Sequence, residues 1–447
     1  MGKYFGTDGF RGEVGRDLTA RHAFDIGLYL GHICRERRER PRVAIGKDTR
    51  RSSYTLEYAL AAGLTAVGAD AHILHVTTTP SVSFITRSEG FDLGIMISAS
   101  HNHFADNGIK LFSASGEKME EGVIAGLEDY LDAPWPLPLA TGENIGCVVD
   151  AVASRNRYLG HLISLATVSY KGKRVGLDCA NGASWMLAKG VFDALGATTY
   201  VIHNTPNGVN INEKAGSTHM ESLCTLVREQ DLDVGFAFDG DADRCLAVDG
   251  AGRVVDGDAL LFALARDMKR RGELEKNTVV TTVMSNMGLA HALGREGISC
   301  VATAVGDKYV YECMAEHGFS LGGEQSGHII LGKLECTGDG LVTALRVMEL
   351  ICTSGQTLSD LVADYKPFPQ VLRNLRVRDK EAALSDPTVC EAITSCAREL
   401  AGEGRVLVRR SGTEPVIRVM GEAADAALVE ACVARIVTVI EKGGHTV

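Results

Sequence analysis

The sequence is short of the features that mark membrane proteins and nucleic-acid-binding proteins. It has no long basic run, and its formal net charge is −11. Its electrostatic field therefore repels nucleic acids and anionic lipid surfaces. No uninterrupted apolar run is long enough to cross a bilayer, and the opening residues form no apolar signal stretch. We therefore expect a cytoplasmic protein with no nucleic-acid partner and no membrane partner.

Several well-known site motifs are also missing. The 12 cysteines are scattered and never form a C-x-x-C pair, which predicts reduced thiols rather than a structural zinc site. There is no dinucleotide-binding glycine pattern, no Walker lysine loop and no G-x-S-x-G arrangement. The sequence therefore supports neither a dinucleotide site, nor a P-loop, nor a hydrolase nucleophile elbow.

The pattern that is present is an alternation of short apolar strands and helices. The chain has 447 residues, which is longer than one hydrophobic core usually supports. Its 50 glycines are typical of an α/β protein with many turns. A strand is predicted at 234–238 and a helix-like stretch at 183–195. Strands separated by helices imply parallel sheets with right-handed crossovers.

Proline-rich segments divide this pattern. Prolines at 134–138 and at 367–369 cannot continue a helix and mark boundaries. We predict four domains, at 1–140, 150–253, 254–366 and 367–447. The first three are expected to be similar α/β domains with mixed, largely parallel sheets, and the last a smaller α+β domain.

One candidate site is the loop Ser98-Ala99-Ser100-His101-Asn102, which follows the wholly apolar strand 94–97. Loops at the carboxyl ends of parallel strands are where α/β proteins place their sites. Hydroxyl, imidazole and amide groups there suit a nucleophile loop. The same residue types also form ordinary turns and caps, so both interpretations remain open for this loop alone.

A second candidate is the loop Asp239-Gly240-Asp241-Ala242-Asp243-Arg244, which follows the predicted strand 234–238. Three carboxylates at every second position can converge on one hard cation such as Mg²⁺ or Ca²⁺. An EF-hand is excluded, because its sixth and twelfth positions hold Arg244 and Gly250 here. A solvated acidic turn is the alternative, but three neighbouring carboxylates repel one another without a cation. We favour a metal site.

Two further loops offer complementary groups. The segment 409–414 (R-R-S-G-T-E) combines guanidinium groups, hydroxyls and a glycine, as a phosphate clamp does. The segment 322–328 (G-G-E-Q-S-G-H) offers a carboxylate, a hydroxyl and an imidazole that suit sugar hydroxyls. A basic surface turn and a simple hairpin turn are equally good explanations of these two segments.

Taken in order, these loops resemble the α-D-phosphohexomutase superfamily, and the resemblance extends over essentially the whole chain. It rests on six motifs: G-T-D-G-F-R-G (6–12), S-A-S-H-N (98–102), N-G-I-K (107–110), D-G-D-A-D-R (239–244), G-E-Q-S-G-H (323–328) and S-G-T-E-P (411–415). The resemblance implies four domains around a central cleft. It also implies phosphate transfer through a phosphoserine.

Further segments resemble the phosphoglucosamine mutase branch of this superfamily: N-I-N (210–212), M-S-N-M-G (284–288), T-G-D-G (337–340) and F-P-Q (368–370). This branch implies glucosamine 6-phosphate and glucosamine 1-phosphate as substrates, on the route to UDP-N-acetylglucosamine. Glucosamine 1,6-bisphosphate, or glucose 1,6-bisphosphate, is the implied intermediate or activator. A phosphoglucomutase or phosphomannomutase remains an alternative, as does a non-catalytic sugar-phosphate sensor. We expect a monomer or a homodimer.

The resemblance also assigns a role to each domain and to individual residues. The domains would be, in order, the phosphoserine, metal-binding, sugar-recognition and phosphate-binding domains. Ser100 would carry the phosphate and supply an oxygen to Mg²⁺, beside the ligands Asp239, Asp241 and Asp243. The remaining assignments are Arg11, Lys110, His328 and Arg244 at the reacting end, Glu324, Ser326 and Lys308 for the sugar, and Arg409, Ser411, Gly412, Thr413 and Arg418 for the non-reacting phosphate.

Five positions depart from the family pattern, and one of them is Ser53, which follows Arg51-Ser52 where a glycine is common. His103 and Arg410 stand where proline is usual, and Lys308 replaces a frequent arginine, which keeps the charge but not the planar fork. Ala242 replaces a common glycine, a mild change that alanine tolerates if its φ is negative. None of these changes removes a catalytic atom.

Overall fold

The computed structural model describes residues 2–402, 404–410 and 416–446. Its elements fall into two compact units. The larger unit comprises Met1–Met284 and Gly297–Ala363, and the smaller unit comprises Ser285–Glu296 and Asp364–Val447. No helix in the described part of the chain combines the length and apolar character that a membrane span needs.

The first sheet of the larger unit has seven strands, in the order β1-β2-β6-β5-β3-β4-β7. The pairs from β5 through β3 and β4 to β7 are parallel, and those from β1 through β2 and β6 to β5 are antiparallel. The strands are β1 (Phe5–Gly6), β2 (Gly9–Glu13), β3 (Arg42–Lys47), β4 (Asp70–Val76), β5 (Leu93–Ile97), β6 (Asp106–Ser113) and β7 (Val148–Asp150). The helices are α1 (Ala20–Arg35), α2 (Arg51–Ala66), α3 (Thr79–Ser88), α4 (Glu121–Asp132) and α5 (Val152–Ser164).

The second sheet has five strands, in the order β12-β11-β10-β8-β9. Strand β8 pairs in parallel with β9 and β10, while β11 is antiparallel to β10 and β12. The strands are β8 (Arg174–Asp178), β9 (Thr198–Ile202), β10 (Val234–Phe238), β11 (Cys245–Asp249) and β12 (Val254–Val255), with helices α6 (Ala188–Ala194) and α7 (Glu221–Glu229).

The third sheet has four strands, in the order β14-β13-β15-β16, and only its β15–β16 pair is antiparallel. The strands are β13 (Thr278–Thr282), β14 (Ser299–Thr303), β15 (Leu321–Gly323) and β16 (Ile329–Leu331). The helices of this stretch are α8 (Gly257–Arg270), α9 (Met287–Arg295, in the smaller unit), α10 (Asp307–His317), α11 (Gly340–Ser354) and α12 (Leu358–Leu361).

The rest of the smaller unit is an antiparallel sheet covered by helices. Its strands β17 (Gln370–Arg376), β18 (Gly404–Arg410) and β19 (Val416–Ala423) lie in the order β17-β19-β18. Its helices are α13 (Lys380–Ser385), α14 (Pro387–Glu399) and α15 (Ala426–Lys442). Apolar side chains of β19, α14 and α15 form one buried core. Three mixed α/β sheets followed by an antiparallel α+β module confirm the predicted fold class.

The three sheets of the larger unit share one feature that positions the site. In each, a strand with a parallel neighbour turns directly into an antiparallel strand: β5 into β6, β10 into β11, and β15 into β16. The connecting loops are 98–105, 239–244 and 324–328. The three candidate loops of this unit therefore occupy equivalent places at the carboxyl ends of β5, β10 and β15.

One helix-like stretch is interrupted in the structure. The segment 183–195 is not a single helix but a 3₁₀ turn (Ala183–Met186) followed by the shorter α6. Leu187 N–H donates to Ser184 O, three residues back, and Ala183 N–H donates to Gly240 O in another loop. This tighter hydrogen-bond pattern prevents the first turn from continuing as α-helix.

Candidate functional site

The serine loop and the triple-aspartate loop meet in the larger unit. Ser100 Oγ donates a hydrogen bond to Asp239 Oδ2 over 2.5 Å, and both side chains are buried. Of the two loop serines, Ser98 plays a different part, because its Oγ accepts the Ser100 N–H at 3.0 Å. The hydroxyl of Ser100 is therefore the one presented to the acidic loop.

The three aspartates converge as their spacing predicts. One carboxylate oxygen from each of Asp239, Asp241 and Asp243 lies within 4.8 Å of the others, and all three residues are buried. In the described part of the chain, Asp241 Oδ1 and Asp243 Oδ1 are buried without a hydrogen bond. Burial raises the pKa of Asp239 well above the usual carboxyl range, and the charges of Asp243 and Asp241 raise it further.

These observations test whether a divalent cation fits the residues present. Buried carboxylates that repel one another, with oxygens left unsatisfied, are costly unless a cation is bound among them. An all-oxygen donor set suits Mg²⁺ or Ca²⁺. The loop therefore fits a hard divalent cation.

Lys110 on β6 connects the acidic loop to the first motif. Its Nζ lies 2.8 Å from Asp241 Oδ2, 3.1 Å from Asp243 Oδ2 and 3.0 Å from Asp8 Oδ2. Burial lowers the pKa of Lys110, but the three carboxylates outweigh it and hold the pKa well above the usual value. Asp8 in turn pairs with Arg11, so Lys110 and Arg11 lie in one charge network beside the aspartates.

Two further groups lie beside Ser100 and the acidic loop. His101 Nδ1 is 3.4 Å from Ser100 Oγ, and burial, with Arg244 and Arg11 nearby, lowers the pKa of His101 to about 4. Arg244 Nε lies 3.9 Å from Asp243 Oδ1. The surroundings of Ser100 thus combine a neutral imidazole with permanent cations.

The backbone at Ala242 does not meet the condition under which alanine is a mild replacement for glycine. Its φ is +57°, in the left-handed region that disfavours a residue with a Cβ. The glycine common at this position in the family suits that backbone, and alanine adopts it under strain. The loop geometry needed to converge the three carboxylates imposes this conformation.

His328 contacts the acidic loop from the third sheet. Its Nε2 accepts the Gly338 N–H at 3.0 Å, so Nδ1 carries the proton and lies 3.8 Å from Asp243 Oδ1.

The rest of the 323–328 segment forms the hairpin loop between β15 and β16. Glu324 Oε1 accepts the Gly306 N–H at 3.3 Å, and Ser326 is half-buried. Lys308 pairs with Glu121 and Glu312. The sugar-binding roles of Glu324 and Ser326 and the substrate contact of Lys308 stay predictions.

The predicted phosphate clamp lies in the smaller unit. Arg409 on β18 and Arg418 on β19 are direct cross-strand partners. Burial and the charge of Arg418 lower the pKa of Arg409, and like charges opposite each other destabilise a sheet unless an anion joins them. Ser411, Gly412 and Thr413 lie outside the described residues, so the structure describes the two arginines of the predicted clamp alone.

Sequence reasoning missed several groups that the fold brings to the site. Thr79 Oγ1 donates to Asp241 Oδ2 at 2.5 Å, Asn212 Nδ2 donates to Ser100 O at 2.8 Å, and Asp8 binds Lys110. Asp8 and Asn212 stand inside motifs that carry the family resemblance, which was a usable signal. Thr79 had no such signal.

The chain is similar to known proteins over its whole length. Four family models match in chain order: phosphoglucomutase/phosphomannomutase domain I over residues 2–134, domain II over 156–252, domain III over 256–368 and the C-terminal domain over 372–439. A curated phosphoglucosamine mutase of Lachnospira eligens is 58% identical over 450 aligned positions, covering 100% of both chains.

Solved structures share the fold. A phosphoglucomutase/phosphomannomutase family protein of Burkholderia thailandensis superposes with a TM-score of 0.81 at 24% identity, covering 99% of this chain and 98% of that one. An N-acetylphosphoglucosamine mutase of Aspergillus fumigatus, solved with GlcNAc-6P and magnesium, gives 0.66 at 19% identity, covering 99% and 96%. With all four family models matched in order, the chain belongs to the phosphoglucomutase/phosphomannomutase family.

Proposed function

We propose that this protein interconverts glucosamine 6-phosphate and glucosamine 1-phosphate through a phosphoserine at Ser100. The observation that carries the proposal is the buried hydrogen bond from Ser100 Oγ to Asp239 within the triple-aspartate loop. The substrate pair follows from the full-length similarity to a phosphoglucosamine mutase. The product would supply UDP-N-acetylglucosamine synthesis.

The reaction is a pair of phosphate transfers. The phosphoryl group leaves Ser100 Oγ for the free hydroxyl of the bound monophosphate, which gives glucosamine 1,6-bisphosphate. The bisphosphate turns end for end, and its other phosphoryl group returns to Ser100 Oγ. The serine proton has an acceptor in place for this return, because Asp239 Oδ2 already accepts the hydroxyl hydrogen bond.

The carboxylates of Asp239, Asp241 and Asp243 would hold Mg²⁺, together with an oxygen of Ser100 or its phosphate. A bound Mg²⁺ neutralises the charge that develops on the transferring phosphoryl group. The similar fold of the A. fumigatus mutase, solved with magnesium, supports this choice of metal. Thr79 and Lys110 orient Asp241 by binding its Oδ2, which leaves Oδ1 for the cation.

Permanent cations would stabilise the same charge without a proton transfer. Lys110, Arg11 and Arg244 are given this role, because phosphoryl transfer depends on positioning and charge neutralisation more than on covalent help. His328, protonated at Nδ1 and beside Asp243, would support the same side of the site. In the described part of the chain, Arg11 Nε and Arg244 Nε are buried donors without a hydrogen-bond acceptor, which suits an anionic substrate.

The other end of the substrate is assigned to the second half of the chain. Glu324 and Ser326 would bind sugar hydroxyls, with Lys308 as a further contact. Arg409 and Arg418, with Ser411, Gly412 and Thr413, would hold the phosphate that is not reacting. The cross-strand pairing of the two arginines supports this assignment, since an anion between them relieves their repulsion.

The predicted segments follow the same division: 1–140 carries the phosphoserine, 150–253 the metal, 254–366 the sugar contacts and 367–447 the phosphate clamp. We place the enzyme in the cytoplasm, as a monomer or a homodimer. All 12 cysteines are free thiols, which supports a reducing compartment.

A coupled assay with three substrates tests the substrate class. We expect kcat/KM for glucosamine 6-phosphate to exceed the values for glucose and mannose phosphates, with Mg²⁺ and catalytic glucose 1,6-bisphosphate present. Ser100→Ala should abolish turnover of all three. A higher kcat/KM for glucose or mannose phosphate would contradict the proposed substrate, and steady release of inorganic phosphate would indicate a phosphatase instead.

A further inference from the structure

The backbone of the Ser100 loop is strained. Ser100 has a φ of +52°, in the left-handed region that crowds the Cβ of any residue other than glycine. Such a conformation persists only where the surroundings hold it, and it is often found at functional sites. Some part of the structure must therefore fix this residue in place.

Arg50 is the first group that holds the loop. Its Nη2 donates to Ser100 O at 3.1 Å and to Asn102 O at 2.7 Å, and its side chain has no exposed surface. Asp48 fixes the arginine in turn: its carboxylate pairs with the guanidinium, and its Oδ1 accepts the Arg50 N–H at 2.9 Å. A buried charge this well paired has one available orientation.

Asn212 is the second group, and it approaches from the segment that follows β9. Its Nδ2 donates to the same two carbonyls, Ser100 O at 2.8 Å and Asn102 O at 3.1 Å. Each carbonyl thus receives one donor from Arg50 and one from Asn212. Gly240 makes room for this contact, because a Cβ there would lie 2.5 Å from Ser100 O and 2.9 Å from Asn212 Nδ2.

We propose that Arg50 and Asn212 are positioning residues that lock Ser100 in its left-handed conformation and so direct Oγ at Asp239. The inference rests on the proposed phosphoserine mechanism. In that mechanism Oγ must meet a phosphoryl group at the same place twice, before and after the bisphosphate turns. A rigid serine loop keeps Ser100 Oγ in one position while the substrate moves. Loss of this rigidity should therefore lower kcat and leave substrate affinity unchanged.

Asn212→Gly tests the inference with little backbone perturbation. Asn212 itself has a φ of +58°, which glycine adopts readily, so the substitution removes the amide donor and leaves the turn. We expect kcat to fall about tenfold, as for a lost positioning hydrogen bond, with KM changed by less than about twofold. The matched control is Asn277→Gly, at a φ of +46° on the exposed surface, which should leave both constants unchanged.

Arg50→Lys provides a second test with its own control. Lysine keeps the charge but loses the fork in which Nη1 pairs with Asp48 while Nη2 donates to the two carbonyls, so kcat should fall at least tenfold. Arg42 also donates through Nη2 to two carbonyls, those of Glu89 and Gly90, at 2.7 and 3.0 Å. Arg42→Lys should therefore keep the wild-type kcat if the position beside Ser100 is what matters.

The rate at which glucose 1,6-bisphosphate phosphorylates Ser100 distinguishes a failure of the positioning role from a failure of the proposed phosphoserine mechanism. It is followed by intact mass in a quenched single turnover, with folded protein quantified by circular dichroism. The inference is supported if Asn212→Gly accepts the phosphate slowly while remaining folded. A wild-type rate in Asn212→Gly, or a loss explained by unfolded protein, overturns the inference alone. Failure of the wild-type enzyme to accept phosphate at Ser100 overturns the proposed function itself.

Discussion

At the scale of single residues, the carboxylates around Ser100 have unequal surroundings. Asp241 Oδ2 is held by Thr79 and Lys110, while its Oδ1 is buried without a hydrogen bond in the described part of the chain. Asp239 has Ser100 as its donor. The acidic loop therefore has oxygen atoms that protein groups hold and others that are left for a cation.

Asp241→Asn should cripple the metal-dependent reaction. The substitution replaces one carboxylate oxygen by an NH₂ group, which cannot bind a cation, and removes the negative charge that Thr79 and Lys110 contact. We expect kcat to fall at least about a hundredfold, the loss of roughly 3 kcal/mol of transition-state stabilisation. Steady-state rates over a range of Mg²⁺ concentrations measure it.

The matched control is Asp249→Asn. Asp249 is also a buried aspartate of the second sheet, but it pairs with Arg253 and Ser359. Its substitution should lower thermal stability and leave the Mg²⁺ dependence unchanged. Equal Mg²⁺ dependence in Asp241→Asn and the wild type would refute the metal site.

The site residues that could be predicted from the sequence follow recognisable strands, whereas those that were missed reach the site only through the fold. Ser100 and the three aspartates were predictable because each follows a wholly apolar strand, and the carboxyl end of such a strand is a place for function. Thr79 was missed because its contact with Asp241 joins positions 162 residues apart. Only the folded chain brings such a pair together. The positive φ of Ala242 was missed for the same reason, since the loop and not the residue imposes it.

At the scale of elements, the recurring unit is a strand that turns into its antiparallel neighbour. The turns after β5 and β10 bring Ser100 and Asp239 into contact, and the turn after β15 ends at His328, beside Asp243. The strand at 234–238 was predicted with its observed bounds, because it is a continuous apolar run. The antiparallel strand β6 (Asp106–Ser113) was not predicted, because its polar and charged residues interrupt the apolar pattern by which a strand is recognised.

Gly240→Ala tests the contact between the first two turns. A Cβ at this position would lie 2.5 Å from Ser100 O and 2.9 Å from both Asn212 Nδ2 and Ile211 Cδ1, so the serine loop must move away from the aspartates. We expect kcat to fall about tenfold or more, since a small displacement of a reacting group is costly.

Gly122→Ala is the control for Gly240→Ala. Nothing lies within 4 Å of a Cβ added to Gly122 in α4, and alanine favours the helix by about 1 kcal/mol. This control should be fully active and slightly more stable. A fully active Gly240→Ala enzyme would show that the serine loop does not depend on its contact with the acidic loop.

At the scale of the whole molecule, the proposed mechanism draws on groups in both units. The larger unit holds Ser100, the aspartates and their cations, while the smaller unit holds the paired Arg409 and Arg418. The mechanism requires one group to carry a phosphate and a separate group to hold the other end of the substrate. The sequence predicted this division through the order of its motifs, although it gave no geometry for the clamp.

Arg418→Ala should weaken substrate binding without disabling Ser100. Loss of a charge-assisted contact to phosphate costs about 1.5–3 kcal/mol, so KM should rise about ten- to a hundredfold. Phosphorylation of Ser100 by glucose 1,6-bisphosphate at saturating concentration should persist. Arg373→Ala is the control, because Arg373 lies in the same sheet and pairs with Glu430 on the surface. A KM unchanged by Arg418→Ala would remove this arginine from the clamp.

The phosphoserine is tested most directly by mass spectrometry of the intact protein and its peptides after incubation with glucose 1,6-bisphosphate and Mg²⁺. The account predicts one added phosphate per chain, located on the peptide that contains Ser100. It should be lost when glucosamine 6-phosphate or glucosamine 1-phosphate is added and should be absent from Ser100→Ala. An active enzyme with no phosphate on Ser100, or with the phosphate on another residue, would contradict it.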